Sequence, residues 1–182
     1  MKFEIIEMNH VQIIGIAKEI PFCTGGEECP KFWGEYVEKF IKPVVMEGKT
    51  PNEQQKAVFD NNIGEFALCT CTLPNHNCGT CAVENFTACN KKTFTYVIGG
   101  SYKGGQVPEG MKLYPLTDGK WLKVHFEGGM KAFQQQFRYF HDEWLPAHPE
   151  YKWASNSSCM EWYCGQDINS PDYQCGIIMP LA

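Results

Sequence analysis

Positive charge is nowhere concentrated in this chain. The densest basic run is Lys91-Lys92, and the formal net charge is −5 over 182 residues. Nucleic-acid binders carry a clustered basic face, so direct DNA or RNA binding is not expected. Long hydrophobic runs are missing too: no apolar stretch approaches the roughly 20 residues that span a bilayer. The opening Met1-Lys2-Phe3-Glu4-Ile5-Ile6-Glu7 has neither the apolar core nor the cleavage pattern of a signal peptide. The expected location is the cytoplasm, with no membrane partner. Catalytic signatures are also lacking. There is no Gly-x-Ser-x-Gly elbow, no phosphate loop and no dinucleotide fingerprint. The histidines, His10, His76, His125, His141 and His148, form no His-x-x-x-His or His-Glu-x-x-His pattern. No cofactor is expected. His141 and His148 flank Trp144 near a predicted helix end and read as capping or surface residues.

What is present in quantity is aromatic and sulfur side chains. Aromatics make up 14% of the chain, more than a minimal core needs, and favour a lined cavity. Ten cysteines in a cytosolic chain should be mostly reduced. Five of them, Cys69, Cys71, Cys78, Cys81 and Cys89, crowd one segment. Cys69-x-Cys71 followed by Cys78-x-x-Cys81 could supply four thiolates to a tetrahedral zinc, with His76 as a spare ligand. The competing readings are reduced thiols acting as small hydrophobes, or a labile disulfide. Reduced thiols without metal are the expectation, because Cys69 and Cys71 lie in a run that reads as regular strand.

The chain reads as one domain, 1–182, built of two similar halves. In the first, about 1–105, Val11–Ile16 is strand-like. Phe32, Trp33, Tyr36, Val37, Phe40 and Ile41 then recur at helical spacing. Pro30 suits the approach to the first turn and Pro43 closes it. Residues 47–62 are polar and read as loop, with a short helical turn as the alternative. Phe66–Cys71 and Lys92–Ile98 read as strands, the second ended by Gly99-Gly100. The second half, about 106–182, repeats the order. Met111–Leu116 and Trp121–Phe126 form one strand or an interrupted pair. A helix carries Phe133, Phe137, Phe140 and Trp144 on one face as core packing, and Pro146 stops it. Strands follow at Cys159–Cys164 and Gln174–Pro180. The predicted class is α+β: duplicated β-α-β-β units with pseudo-twofold symmetry, an antiparallel sheet with two main helices, and a central ligand cleft.

One carboxylate stands out. Glu161 lies in mid-strand within Ser158-Cys159-Met160-Glu161-Trp162-Tyr163-Cys164. Burying an ionised carboxylate without a partner is costly. Glu161 therefore either points to solvent from an edge strand or serves a cavity, as receptor for an organic cation or as an acid/base with a raised pKa. Trp33, Tyr36, Phe94, Tyr96, Tyr102, Trp121 and Trp144 are available as walls. Alternation places Glu161 and Tyr163 on one strand face and Trp162 on the other.

A series of short motifs occurs in a familiar order: Phe94-Thr95-Tyr96-Val97-Ile98-Gly99-Gly100, Val107-Pro108-Glu109-Gly110-Met111, Trp121…Phe126-Glu127-Gly128, Tyr139…Glu143-Trp144-Leu145-Pro146, Glu161, and Ile178-Met179-Pro180. The chain resembles the GyrI-like family, which includes effector-binding domains of AraC- and MerR-type multidrug regulators. The resemblance implies two βαββ units enclosing a cleft for bulky, often cationic or aromatic molecules. The family's central glutamate would correspond to Glu161, and cleft aromatics to Tyr96, Trp121, Trp33, Tyr36 and Tyr163. No helix-turn-helix segment fits, so a stand-alone module is expected, and the Cys69–Cys89 segment departs from the family pattern. Three functions follow from the resemblance. The first is binding or sequestering an amphipathic cation. The second is hydrolysis of strained cyclopropane-bearing toxins, with Glu161 activating water and Tyr163 or Tyr96 donating a hydrogen bond. The third is a protein partner, such as an inhibited topoisomerase.

Overall fold

The computed structural model describes residues 1–70, 93–154, 158–165, 168–170 and 172–182. Its strands are β1 (Lys2–Met8), β2 (Gln12–Pro21), β3 (Phe66–Thr70), β4 (Thr93–Ser101), β5 (Lys112–Pro115), β6 (Gly119–Phe126), β7 (Cys159–Tyr163) and β8 (Cys175–Pro180). All join one sheet in the order β1-β6-β8-β7-β3-β4-β2-β5, with every pairing antiparallel. Each strand–helix–strand–strand unit contributes three adjacent strands. The units meet where β3 pairs with β7.

The edge strands are exchanged. β1 precedes β2 in the chain but pairs with β6, while β5 precedes β6 but pairs with β2. This forces the sheet to curl. β1 and β2 are six strand spacings apart, roughly 29 Å in a flat sheet. The four steps from Met8 to Gln12 span at most about 14 Å. The face inside the curl holds a core without helical members: Ile13, Leu68, Val97, Trp121, Met160, Trp162 and Ile178. The other face carries the helices and the larger core, including Ile14, Ile98, Leu122, Phe140 and Ile177. β1 itself carries no clean alternation in Lys2–Met8. Its strand state comes from pairing with β6, and sequence reasoning missed it.

The first helix starts earlier and ends later than its apolar spacing indicates. α1 (Gly25–Tyr36) runs through a π-helical turn (Val37–Ile41) into α2 (Lys42–Val45). Pro30 thus lies inside it and Pro43 does not close it. The second long helix repeats the device: α4 (Gly129–Tyr139), a π-helical turn (Phe140–Trp144), then α5 (Leu145–Ala147) beyond Pro146. In each case the proline comes two residues after the π-helical turn. Proline has no N–H and its ring crowds the carbonyl four residues back, and the wider turn accommodates both effects. In the first helix Pro43 cannot donate to the carbonyl four residues back, that of Lys39, and the buried Gln55 amide donates to it at 3.2 Å.

Gln55 belongs to a helix hidden in the polar 47–62 stretch, α3 (Glu53–Asp60). Asn52 caps it, accepting from the Gln55 backbone N–H, while the Gln55 side chain accepts from the Asn52 N–H. Asn-x-x-Gln was the available signal. Gly100 lets α3 seat on the sheet, since a Cβ there would fall 2.1 Å from the Asn61 carbonyl oxygen. Among the described residues, no helix is long and apolar enough to cross a membrane.

Candidate functional site

Strand alternation aims Ala67 and Cys69 of β3, Tyr96 of β4, and Glu161 and Tyr163 of β7 toward the helices. The long helix spanning α1 and α2 covers one side of this surface, and α4 borders the other. Between them lies a cleft of about 1410 Å³. Trp33, Tyr36, Phe94, Tyr96 and Tyr163 line it, together with Ile41, Phe59, Met130 and Phe137. Glu161 lies on its floor and keeps part of its surface open.

Glu161 is held by phenols. The hydroxyls of Tyr96 and Tyr163 both donate to Oε2, each at 2.7 Å. The indole N–H of Trp33 donates to the Tyr96 hydroxyl oxygen at 3.1 Å, which polarises that hydroxyl toward Glu161. Trp33 also packs edge-on against Tyr163, with ring centroids 5.3 Å apart. Oε1 has no hydrogen-bond partner, and Glu161 makes no ion pair, among the described residues. Burial raises its pKa above the usual carboxylate range, with the two phenol hydrogen bonds opposing the rise. The same burial, with the Glu161 charge beside them, pushes the Tyr96 and Tyr163 hydroxyls well above the ordinary phenol value, so both remain donors. Cys29, another cleft residue, has its thiol pushed up to about 12 by burial and the nearby Glu161 charge.

The structure therefore brings together Glu161, Tyr163, Tyr96, Trp33 and Tyr36. Tyr36 contributes its ring, since its hydroxyl donates to the Ile63 carbonyl at 2.5 Å and ties the helix to the start of β3. Trp121 is the exception. It is 1% exposed within the core inside the curl, and its indole N–H donates to the Thr117 carbonyl. The phase of alternation in β6 turns it away from the cleft. Trp162 packs in that same core, donating to the Val124 carbonyl, though it also borders one end of the cleft. Phe137, read as pure core packing, reaches the cleft. His148 does cap, bonding the Trp144 carbonyl, but His141 is largely buried, with its pKa lowered to about 4 by desolvation.

Of the cysteines in the zinc reading, Cys71, Cys78 and Cys81 lie outside the described residues, as does His76. Among the described residues, no three of His, Cys, Asp and Glu gather into a metal-ligating group.

No curated protein sequence matches the chain. Several solved structures share its fold. SAV2435 bound to tetraphenylphosphonium superposes with a TM-score of 0.69 at 16% identity, covering 100% of this chain and 94% of that one. A Staphylococcus aureus MU50 protein, provisionally assigned to bacterial transcription regulation, gives 0.66 at 16% identity, covering 100% and 98%. The EcmrR C-terminal domain gives 0.52 at 12% identity, covering 100% and 97%. Residues 72–182, a range that begins inside the cysteine-rich segment, match the model of one family, and the chain belongs to it: the GyrI-like small molecule binding domain family.

Proposed function

We propose that the cleft binds a bulky hydrophobic cation, with Glu161 as the counter-charge and the surrounding rings as stacking and cation–π partners. The observation that carries this reading is Glu161 itself: a carboxylate on the floor of an aromatic cleft, bonded by two phenols through one oxygen, with no cationic side chain paired to it among the described residues. Such a group is costly to keep ionised until a cation arrives. Aromatic faces next to it add attraction for a desolvated cation. The cleft exceeds the 300–1,000 Å³ of common small-molecule sites, which suits a large ligand. A structural neighbour holds tetraphenylphosphonium, a cation of this shape and charge. The protein would act as a cytoplasmic single-domain binding module, and Trp121 has no part in the site.

The test is a calorimetric titration with tetraphenylphosphonium and with a neutral tetraphenyl analogue, in wild type and Glu161→Gln. The substitution keeps shape and removes charge. It is expected to cost the cation about 1–3 kcal/mol and the neutral compound much less. Equal losses for both would reduce Glu161 to packing.

A second reading draws on the same group. A carboxyl raised above its usual range beside two hydroxyl donors is equipped for acid/base work on a strained electrophile. Product formation from a cyclopropane-bearing electrophile, lost in Glu161→Gln, would support it.

A further inference from the structure

We propose that Cys69 and Cys159 form a dithiol site, on the cleft floor, for soft thiophilic species of the aryl-arsenic(III) class. The two residues are direct partners in the β3–β7 pairing. Both line the cleft and neither is in a disulfide.

The register decides what such a pair can do. The Tyr163 N–H donates to the Glu65 carbonyl at 2.9 Å, which makes 65 and 163 a hydrogen-bonded pair. Pair types alternate along an antiparallel ladder, so 67 with 161 and 69 with 159 are of the same type. In that type the Cα atoms are about 5.5 Å apart and the side chains stand wider than in the other type. A disulfide needs Cβ atoms roughly 3.5–4.5 Å apart. The wide pair therefore resists direct S–S closure and leaves room for one atom between the sulfurs. Thiolates select soft centres. Two sulfurs suit a centre that asks for two thiolates and brings its own organic group.

The surroundings complete the fit. Cys159 is two residues from Glu161 on the same strand face, and Cys69 is the direct partner of Tyr96 on its other side. An aryl group carried by the arsenic would lie among the rings of the cleft. With phenylarsine oxide the step balances without electron transfer. Two S–H bonds and the arsenic–oxygen bond break, two As–S bonds form, and water leaves with both thiol protons. Arsenic stays trivalent.

This site does not depend on Glu161 acting as a counter-charge. The tetraphenylphosphonium titration can fail while arsenical capture succeeds, and the reverse. The experiment titrates the full chain, with Cys71, Cys78, Cys81 and Cys89 changed to Ser, with phenylarsine oxide, read by native mass spectrometry. One arsenical per chain is expected. Cys69→Ser or Cys159→Ser should weaken capture by on the order of a hundredfold, the gain a second tethered ligand supplies, and Cys23→Ser should not. Undiminished capture in Cys159→Ser, or loss confined to Cys29→Ser, would overturn the site. Should these variants fold poorly, wild-type crystals soaked with phenylarsine oxide locate the arsenic by anomalous scattering. A peak between the two sulfurs supports the site, and peaks only at other cysteines refute it.

Discussion

The Tyr96 hydroxyl meets Glu161 Oε2 at 2.7 Å although a whole strand, β3, runs between their strands. The contact is possible because the cleft-facing residues of β3 are small. Ala67 is the partner of Glu161 and Cys69 the partner of Tyr96, so two long side chains reach toward each other over a low floor. The large residues of β3 alternate the other way, with Leu68 in the opposite core and Phe66 packed against it.

Ala67→Leu should therefore do more damage than its volume indicates. Ala67 is fully buried, so added bulk costs roughly 1–3 kcal/mol of stability through overpacking. It would also separate Tyr96 from Glu161. Affinity for tetraphenylphosphonium should drop about tenfold or more, the scale of one charge-assisted hydrogen bond. Ala67→Ser, nearly isosteric, should bind almost as wild type. Calorimetry on both variants checks this; retained affinity in Ala67→Leu would show that the low floor is irrelevant to binding.

Part of this site was readable from residues alone and part only through the family resemblance, for an identifiable reason. Within β7, alternation fixes Glu161 and Tyr163 on one face whatever the partners are. Tyr96 and Trp33 are two aromatics among many in the sequence, and only the family resemblance marks them as cleft residues. Trp121 does not resolve this way: alternation says that it opposes Leu122, but which of the two faces is the cleft depends on how β6 sits in a curled sheet. The same limit hid β1, whose strand state depends on β6. The extended helix was hidden because Pro43 ordinarily ends a helix, and the Gln55 partner that helps it continue is remote in sequence.

Binding of a hydrophobic cation should weaken on acidification. The Glu161 carboxyl is raised above its ordinary value by burial, so it takes a proton earlier than an exposed glutamate as pH falls. Cation affinity should be full above that raised pKa and decline through it, while a neutral analogue stays flat. Glu161→Gln should abolish the pH dependence. Dissociation constants measured between about pH 4 and 8 bracket the ordinary carboxylate range and any upward shift. A cation affinity independent of pH in wild type would contradict an ionised Glu161 as the counter-charge.

Stability should move the opposite way from binding. A folded-state pKa raised above the unfolded value means that the native state holds the proton more tightly. Between the two pKa values stability falls as pH rises, and above the raised one the cost is fully present. Glu161→Gln should therefore stabilise the unliganded protein at neutral pH, by about 0.5–2 kcal/mol as for other relieved functional sites. The gap to wild type should narrow on acidification through the raised pKa. Urea melts at several pH values test the sign, and a less stable Glu161→Gln at neutral pH would mean that its phenol bonds outweigh its desolvation.

The last prediction concerns the support under Trp33 and Tyr36. Both ride on the helix that passes Pro43, and Gln55 ties that passage to the N-cap of its own helix. Its oxygen accepts from the Asn52 N–H at 3.0 Å, and its amide donates to the Lys39 carbonyl at 3.2 Å. Gln55→Glu keeps the acceptor, removes the donor and sets a carboxylate oxygen against the Lys39 carbonyl, so it acts at the second contact. It should cost about 1–3 kcal/mol, the range for leaving a buried polar group unpaired. Pro43→Ala supplies a backbone N–H four residues beyond Lys39, the ordinary helical partner of its carbonyl. In that background the Gln55→Glu cost should shrink by at least about 0.5 kcal/mol, a coupling measurable in a double-mutant cycle. If the cost is the same in both backgrounds, Gln55 is not compensating for the proline. If the cycle shows coupling, and Gln55→Glu also weakens tetraphenylphosphonium binding, then a contact between two residues outside the cleft lining helps set the wall that the ligand meets.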